Sequence, residues 1–85
     1  MDELTQLLLA ARSGDPEAAA SFVRGTQAEV WRLCAHLGAR GMADDLTQET
    51  YARAFASLRR FAARSSARTW LLSIARRVCA DAVRE

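Results

Sequence analysis

Apolar residues in this chain recur at intervals of three and four and nowhere alternate singly with polar ones, which is the pattern of helices without strands. Leu4, Leu7, Leu8 and Ala11 share one face of a first short helix, from about Asp2 to Ser13. The tetrapeptide "SGDP" then breaks it. Asp15 suits an N-cap and Pro16 a first helical residue, because the missing proline N–H costs nothing there. A second helix runs to about Leu37, with Val23, Val30, Cys34 and Leu37 as its stripe and Phe22, Trp31 and Leu33 widening it. Gly38 and Gly41 bracket "GARG", where a helix can stop in a left-handed cap. A third helix starts between Met42 and Asp44 and reaches about Arg60, burying Leu46, Ala54, Phe55 and Leu58, with Tyr51 at the margin. The next stretch, "RRFAARSSAR", is the least periodic. Ser65 or Ser66 can then cap a fourth helix with Leu71, Ile74 and Val78 as its stripe and Trp70 beside it, continuing through the last residue. The expectation is an all-α fold: a compact bundle of three to four helices forming one domain over residues 1–85.

Composition narrows this picture. Eighty-five residues give a small core, and 51% apolar with 26% charged residues excludes a chain disordered by composition. No apolar run approaches the roughly 20 residues that span a bilayer, and the acidic start is the wrong order for a secretory signal, so a cytoplasmic location without membrane insertion is expected. Cys34 and Cys79 fall at apolar helical positions and are expected as buried, reduced thiols. His36 is the only histidine and there is no close cysteine pair, so no metal site is expected.

Charge changes the picture more. The net charge is only +2, but it is unevenly spread. Through Ala52, four arginines face eight acids, a net −4; from Arg53 onward, eight arginines face two acids, a net +6. This asymmetry suggests a polyanion as partner for the C-terminal part and a different partner for the acidic part.

No catalytic constellation is visible: there is no glycine-rich phosphate loop, and no nucleophile stands with a base. Asp44 and Asp45 are adjacent, about 100° apart on a helix, and do not converge on one atom. Neither catalysis nor a cofactor is expected. On the fourth helix, Ser73, Arg77, Ala80 and Arg84 recur at spacings of four, three and four and share a face opposite the apolar stripe, with Arg76 at its edge. Such a face is often merely solvated. Here Arg59, Arg60, Arg64 and Arg68 extend it, and the small residues let a strand approach the backbone, giving a surface able to neutralise several phosphates. Trp70 is expected in the core; Phe61 either closes the base of the loop or touches a base.

In "ADDLTQETYARAFASLRRF" followed by "RSSARTWLLSIARRVCADAVR", the chain resembles conserved region 2 of bacterial extracytoplasmic-function (ECF) sigma factors. "LLLAARSGDPEAAASFV" is similar to that region's N-terminal helices. The resemblance implies the promoter −10 recognition and melting domain of such a factor. Its acidic helix would dock on the coiled-coil clamp helices of the RNA polymerase largest subunit, through Asp45, Leu46, Gln48 and Glu49, with Asp44 and Tyr51 nearby. The loop would hold the non-template single strand of the −10 element and trap an unstacked base with Phe61, Arg64, Ser65, Ser66, Ala67 and Arg68. On the fourth helix, Ser73, Arg76, Arg77, Ala80 and Arg84 would bind the same strand. Several members have asparagine where this chain has Arg77. The resemblance also implies an anti-sigma factor as a partner, and the family's region 4 helix-turn-helix domain is absent from these residues. Two other readings stand beside it: a helix-turn-helix regulator of duplex DNA, which would want a turn of three or four residues before its recognition helix, and a protein-binding helical adaptor, which leaves the arginine face unexplained.

Overall fold

The computed structural model describes residues 1–84: α1 (Glu3–Arg12), α2 (Pro16–Leu37), α3 (Ala43–Ala56), a 3₁₀ turn (Leu58–Arg60) and α4 (Ala67–Arg84). The chain is all-α, as its periodicity predicts; Glu85, on which the expected end of α4 falls, lies outside the described residues. Helix α2 packs against all three other helices, and α4 against each of them in turn.

Local chemistry explains the first break. Gly14 takes φ 105°, a left-handed conformation that costs glycine little. Its N–H bonds the Ala11 carbonyl and the Asp15 N–H bonds Ala10, so α1 ends in a Schellman motif. Asp15 Oδ1 then accepts from the Glu17 and Ala18 amides at 3.0 and 3.2 Å, with Pro16 at the first helical position.

The buried stripe of α2 is Ala18, Phe22, Thr26, Val30 and Cys34, at constant intervals of four. Each four-residue step overshoots a full turn by about 40°, so the stripe winds around the helix as α2 passes from one partner to the next. That winding leaves two expected core residues off it: Trp31 is 44% and Leu37 42% exposed. Thr26, unforeseen as core, is buried because its hydroxyl bonds the Phe22 carbonyl at 2.8 Å and the Tyr51 hydroxyl at 2.6 Å.

Helix α2 does not end in a left-handed cap at Gly38, which is extended at φ −88°, ψ 175°. Glycine is required there by close approach instead. An added Cβ would overlap Leu46 Cδ1 and stand 2.8 Å from the Cys34 carbonyl oxygen. Gly38→Ala is therefore expected to cost about 1–3 kcal/mol through overpacking, read as a lower urea midpoint; an unchanged midpoint would mean that Leu46 swings aside freely.

Helix α3 stops at Ala56, four residues before its expected end. The Ser57 hydroxyl donates to the Arg53 carbonyl at 2.9 Å, and the chain tightens into the 3₁₀ turn that delivers Phe61 to the core. The fourth helix starts as foreseen, with Ser66 Oγ accepting the Thr69 amide at 3.1 Å. Cys34 and Cys79 are buried free thiols that meet between α2 and α4. Burial, reinforced by the neighbouring Cys34, pushes the Cys79 thiol up to about 11.

Candidate nucleic-acid interface and acidic helix face

The loop between the 3₁₀ turn and α4 is built over an aromatic floor. Phe61 is 2% exposed and its ring packs on half-buried Trp70, centroids 5.1 Å apart. Above them, Arg60, Phe61, Ala62, Ala63, Arg64, Ser65 and Trp70 line an open cavity of about 280 Å³. Ala63 takes φ 56°, a strained conformation for a residue with a Cβ. Two bonds from α1 fix the ends of this loop. Arg12 Nη1 donates to the Phe61 carbonyl, and the Ala67 amide donates to Thr5 Oγ1 at 3.0 Å.

On α4, Ser73, Arg76, Arg77, Ala80 and Arg84 are all exposed, on the face that helical spacing assigns to them. Asp81 sits at the margin of that face, its carboxyl held below the usual range by the Arg53 hydrogen bond first, then by the charges of Arg53, Arg77 and Arg84. In the loop, Arg64 and Ser65 are exposed. Arg68 is also exposed but ion-paired: its Nε donates to Glu29 Oε1 at 2.9 Å and its Nη2 meets the other oxygen. Two of the assigned residues lie elsewhere. Phe61 and Ala67 (0% exposed) are in the core, Phe61 as the floor of the loop's cavity and Ala67 beneath the start of α4.

The acidic helix shows the same division. Asp44, Asp45, Gln48 and Glu49 are exposed on the first two turns of α3, with both aspartates near the positive end of its dipole. Leu46 is 5% exposed and packs inward. Tyr51 turns its hydroxyl towards Thr26 on α2; burial raises its pKa, against the lowering effect of that bond. Asp44 Oδ1 accepts the Trp31 indole N–H at 2.7 Å, and Arg53 bridges Glu49 at 2.9 Å and Asp81 at 2.8 Å, joining α3 to α4.

Several residues of this surface escape a reading of the sequence. Thr5, Arg12, Glu29 and Arg53 each make a contact with a partner far along the chain, which no local spacing reveals. Arg32 and His36, which share a depression of about 350 Å³ with Arg68 and Arg76, carry the basic surface onto α2. Their i, i+4 spacing is the sign that could have found them.

The ion pairs predict a pH response. Glu29 and Asp81 both have lowered folded-state pKa values, each through its arginine hydrogen bond first. The stabilisation is present above the unfolded carboxylate values, about 4, and is lost as pH falls through the lower folded values. Melting temperature is expected to drop below about pH 4, and the combined Glu29→Gln and Asp81→Asn variant to drop less steeply. Parallel acid profiles for variant and parent would show that these pairs contribute nothing.

An acidic helix face beside a basic loop and helix, carried on an all-α bundle, has a counterpart among known families: the Sigma-70 region 2 family matches residues 22–85, and the chain belongs to that family. The relatives it resembles are sigma factors, one of them described as an ECF factor. Over 83 residues it is 53% identical to a probable RNA polymerase sigma-C factor of Mycobacterium bovis and, to the same extent, to the ECF RNA polymerase sigma factor SigC of Mycobacterium tuberculosis. These alignments cover 98% of this chain and 45% of each relative, so the chain spans a little under half their length. Among the described residues, no helix is long and apolar enough to cross a membrane.

Proposed function

We propose that this chain is the domain of an ECF-type sigma factor that recognises the promoter −10 element and binds the polymerase core. In this reading the exposed acids of α3 dock on the clamp helices of the RNA polymerase largest subunit. The loop and the arginine face of α4 hold the non-template strand, and the cavity over Phe61 and Trp70 receives an unstacked base. Phosphate neutralisation and capture of that base offset an unpairing cost of a few kcal/mol. The work is non-covalent and takes place in the cytoplasm, where an anti-sigma factor is a further partner. The observation that carries the reading is the loop itself: an aromatic-floored cavity rimmed by Arg60 and Arg64, leading into the exposed arginines of α4. A helix-turn-helix reading is less favoured, because ten residues, Ser57 to Ser66, separate α3 from α4.

The test has two arms. In the first, single strands enriched from a random pool by the chain are compared with scrambled strands and duplex; preference for one single-stranded sequence supports the reading, and preference for duplex overturns it. In the second, Gln48→Ala with Glu49→Arg is expected to weaken capture of an isolated clamp-helix fragment, with stability unchanged within about 0.5 kcal/mol since both residues are exposed. Undiminished capture would remove the docking assignment.

A further inference from the structure

We propose that α1 is a positioning clamp for the strand-binding loop, with Thr5 and Arg12 setting the shape of its cavity. The inference rests on the reading of that loop as the element that holds the −10 strand. Thr5 and Arg12 are seven residues apart, two turns along one face of α1, about 10 Å apart along the axis. From that face they reach the two ends of the loop. Arg12 donates to the Phe61 carbonyl where the chain leaves the 3₁₀ turn, and Thr5 Oγ1 accepts the first helical amide of α4, that of Ala67.

That amide is one of the donors a helix N-terminus leaves unpaired, and it is normally satisfied by a neighbouring side chain. Here its acceptor comes from 62 positions away. Thr5 is itself held: it is buried, its hydroxyl donates to Asp2 Oδ2 at 2.8 Å, and its amide donates to Asp2 Oδ1 at 2.9 Å. These bonds lower the Asp2 carboxyl pKa, consistent with a carboxylate that stays ionised as an acceptor. Five residues, 62 to 66, span the gap between the anchors, and one of them is the strained Ala63. A short segment pinned at both ends has few alternative shapes, so the cavity exists before any strand arrives. Pre-organisation of that kind lowers the ordering cost of the ligand that fits and does little for one bound only through its phosphates. The clamping residues Asp2, Thr5 and Arg12 lie outside residues 22–85, the segment that matches the family, whereas the loop they hold lies within it.

The test uses Thr5→Val, which removes the acceptor without changing charge, and Arg12→Met, at an exposed position that tolerates substitution. Arg12→Lys retains a donor and serves as the rescue. Hydrogen exchange of residues 62–67 is measured with affinity for a strand enriched by the parent and for its scrambled version, across a salt series. Loop amides are expected to exchange faster while α2 and α3 keep their protection. Affinity for the enriched strand should fall about tenfold, the scale of one or two lost hydrogen bonds. The scrambled strand should bind within about twofold of the parent and the Thr5→Val salt slope should be unchanged, because the phosphate contacts remain. Arg12→Lys should recover most of the discrimination. If loop protection is unchanged, or both strands lose affinity equally, α1 is only structural and the clamp is overturned. If the parent discriminates and both variants discriminate as well, the clamp alone falls. A parent with no sequence preference overturns the −10 reading and the inference with it.

Discussion

Phe61→Ala is expected to destabilise the domain by about 3–5 kcal/mol, the cost of emptying a buried aromatic site. The ring is 2% exposed and supports Trp70 from below, so its loss removes packing from α4 as well as from the loop. A domain of this size has about 5–15 kcal/mol in total, so the variant should be largely unfolded well below the parent's melting temperature. Phe61→Leu, which retains most of the volume, is expected to cost less than about 2 kcal/mol. Urea titrations of the three proteins decide the matter. If Phe61→Ala melts with the parent, the ring is not a core group, and its place at the DNA surface is restored.

Replacing Arg77 and Arg84 together by alanine is expected to leave the fold intact and weaken strand binding regardless of sequence. Both residues are exposed on α4 and neither is in a salt bridge among the described residues. Each neutralised phosphate on a single strand contributes about 0.7 to the dependence of log K on log salt, so losing two should lower that slope by about 1.4. Arg68 should behave differently. It is already bound to Glu29, so Arg68→Ala frees that carboxylate and is expected to lower stability as well as strand binding. A salt titration of the double variant that reproduces the parent slope would mean that the face of α4 is merely solvated, and a protein-binding adaptor would then describe the chain better.

The parts of the fold legible in the sequence are those set by neighbours in the chain. Asp15 and Pro16 start α2 because a cap and a first-turn proline need nothing more than two adjacent residues. The exposed face of α4 follows from spacing alone. The less legible parts depend on which helix lies opposite. A stripe at intervals of four winds, so Leu37 left the core although it follows Val23 and Val30 at seven-residue spacing, and Trp31, expected to widen that stripe, left it too. Thr47 and Thr50 entered it despite their hydroxyls; Thr50 is satisfied by the Leu46 carbonyl at 2.8 Å, and Thr47 has no partner among the described residues. The candidate site divides in the same way. Its charged members are exposed, as are Gln48, Ser65 and Ser73, while Ser66 is half-buried at the cap of α4. The apolar and aromatic ones, Leu46, Tyr51, Phe61 and Ala67, are turned partly or wholly inward, because a motif records which residues occur together and not which way each one faces.

The paired thiols give the protein a stopwatch. With its thiol pushed up to about 11, Cys79 at pH 7 is ionised in only about one molecule in ten thousand, and it is sealed between α2 and α4. An alkylating reagent can therefore reach it only when those two helices part. Cys34 is fully buried at the same place, so labelling of either thiol counts openings of the α2–α4 pair and ignores motions of the loop. Because the loop and the core can be timed separately, a variant that alters strand recognition can be told from one that merely loosens the domain, in one sample and without a fluorescent tag.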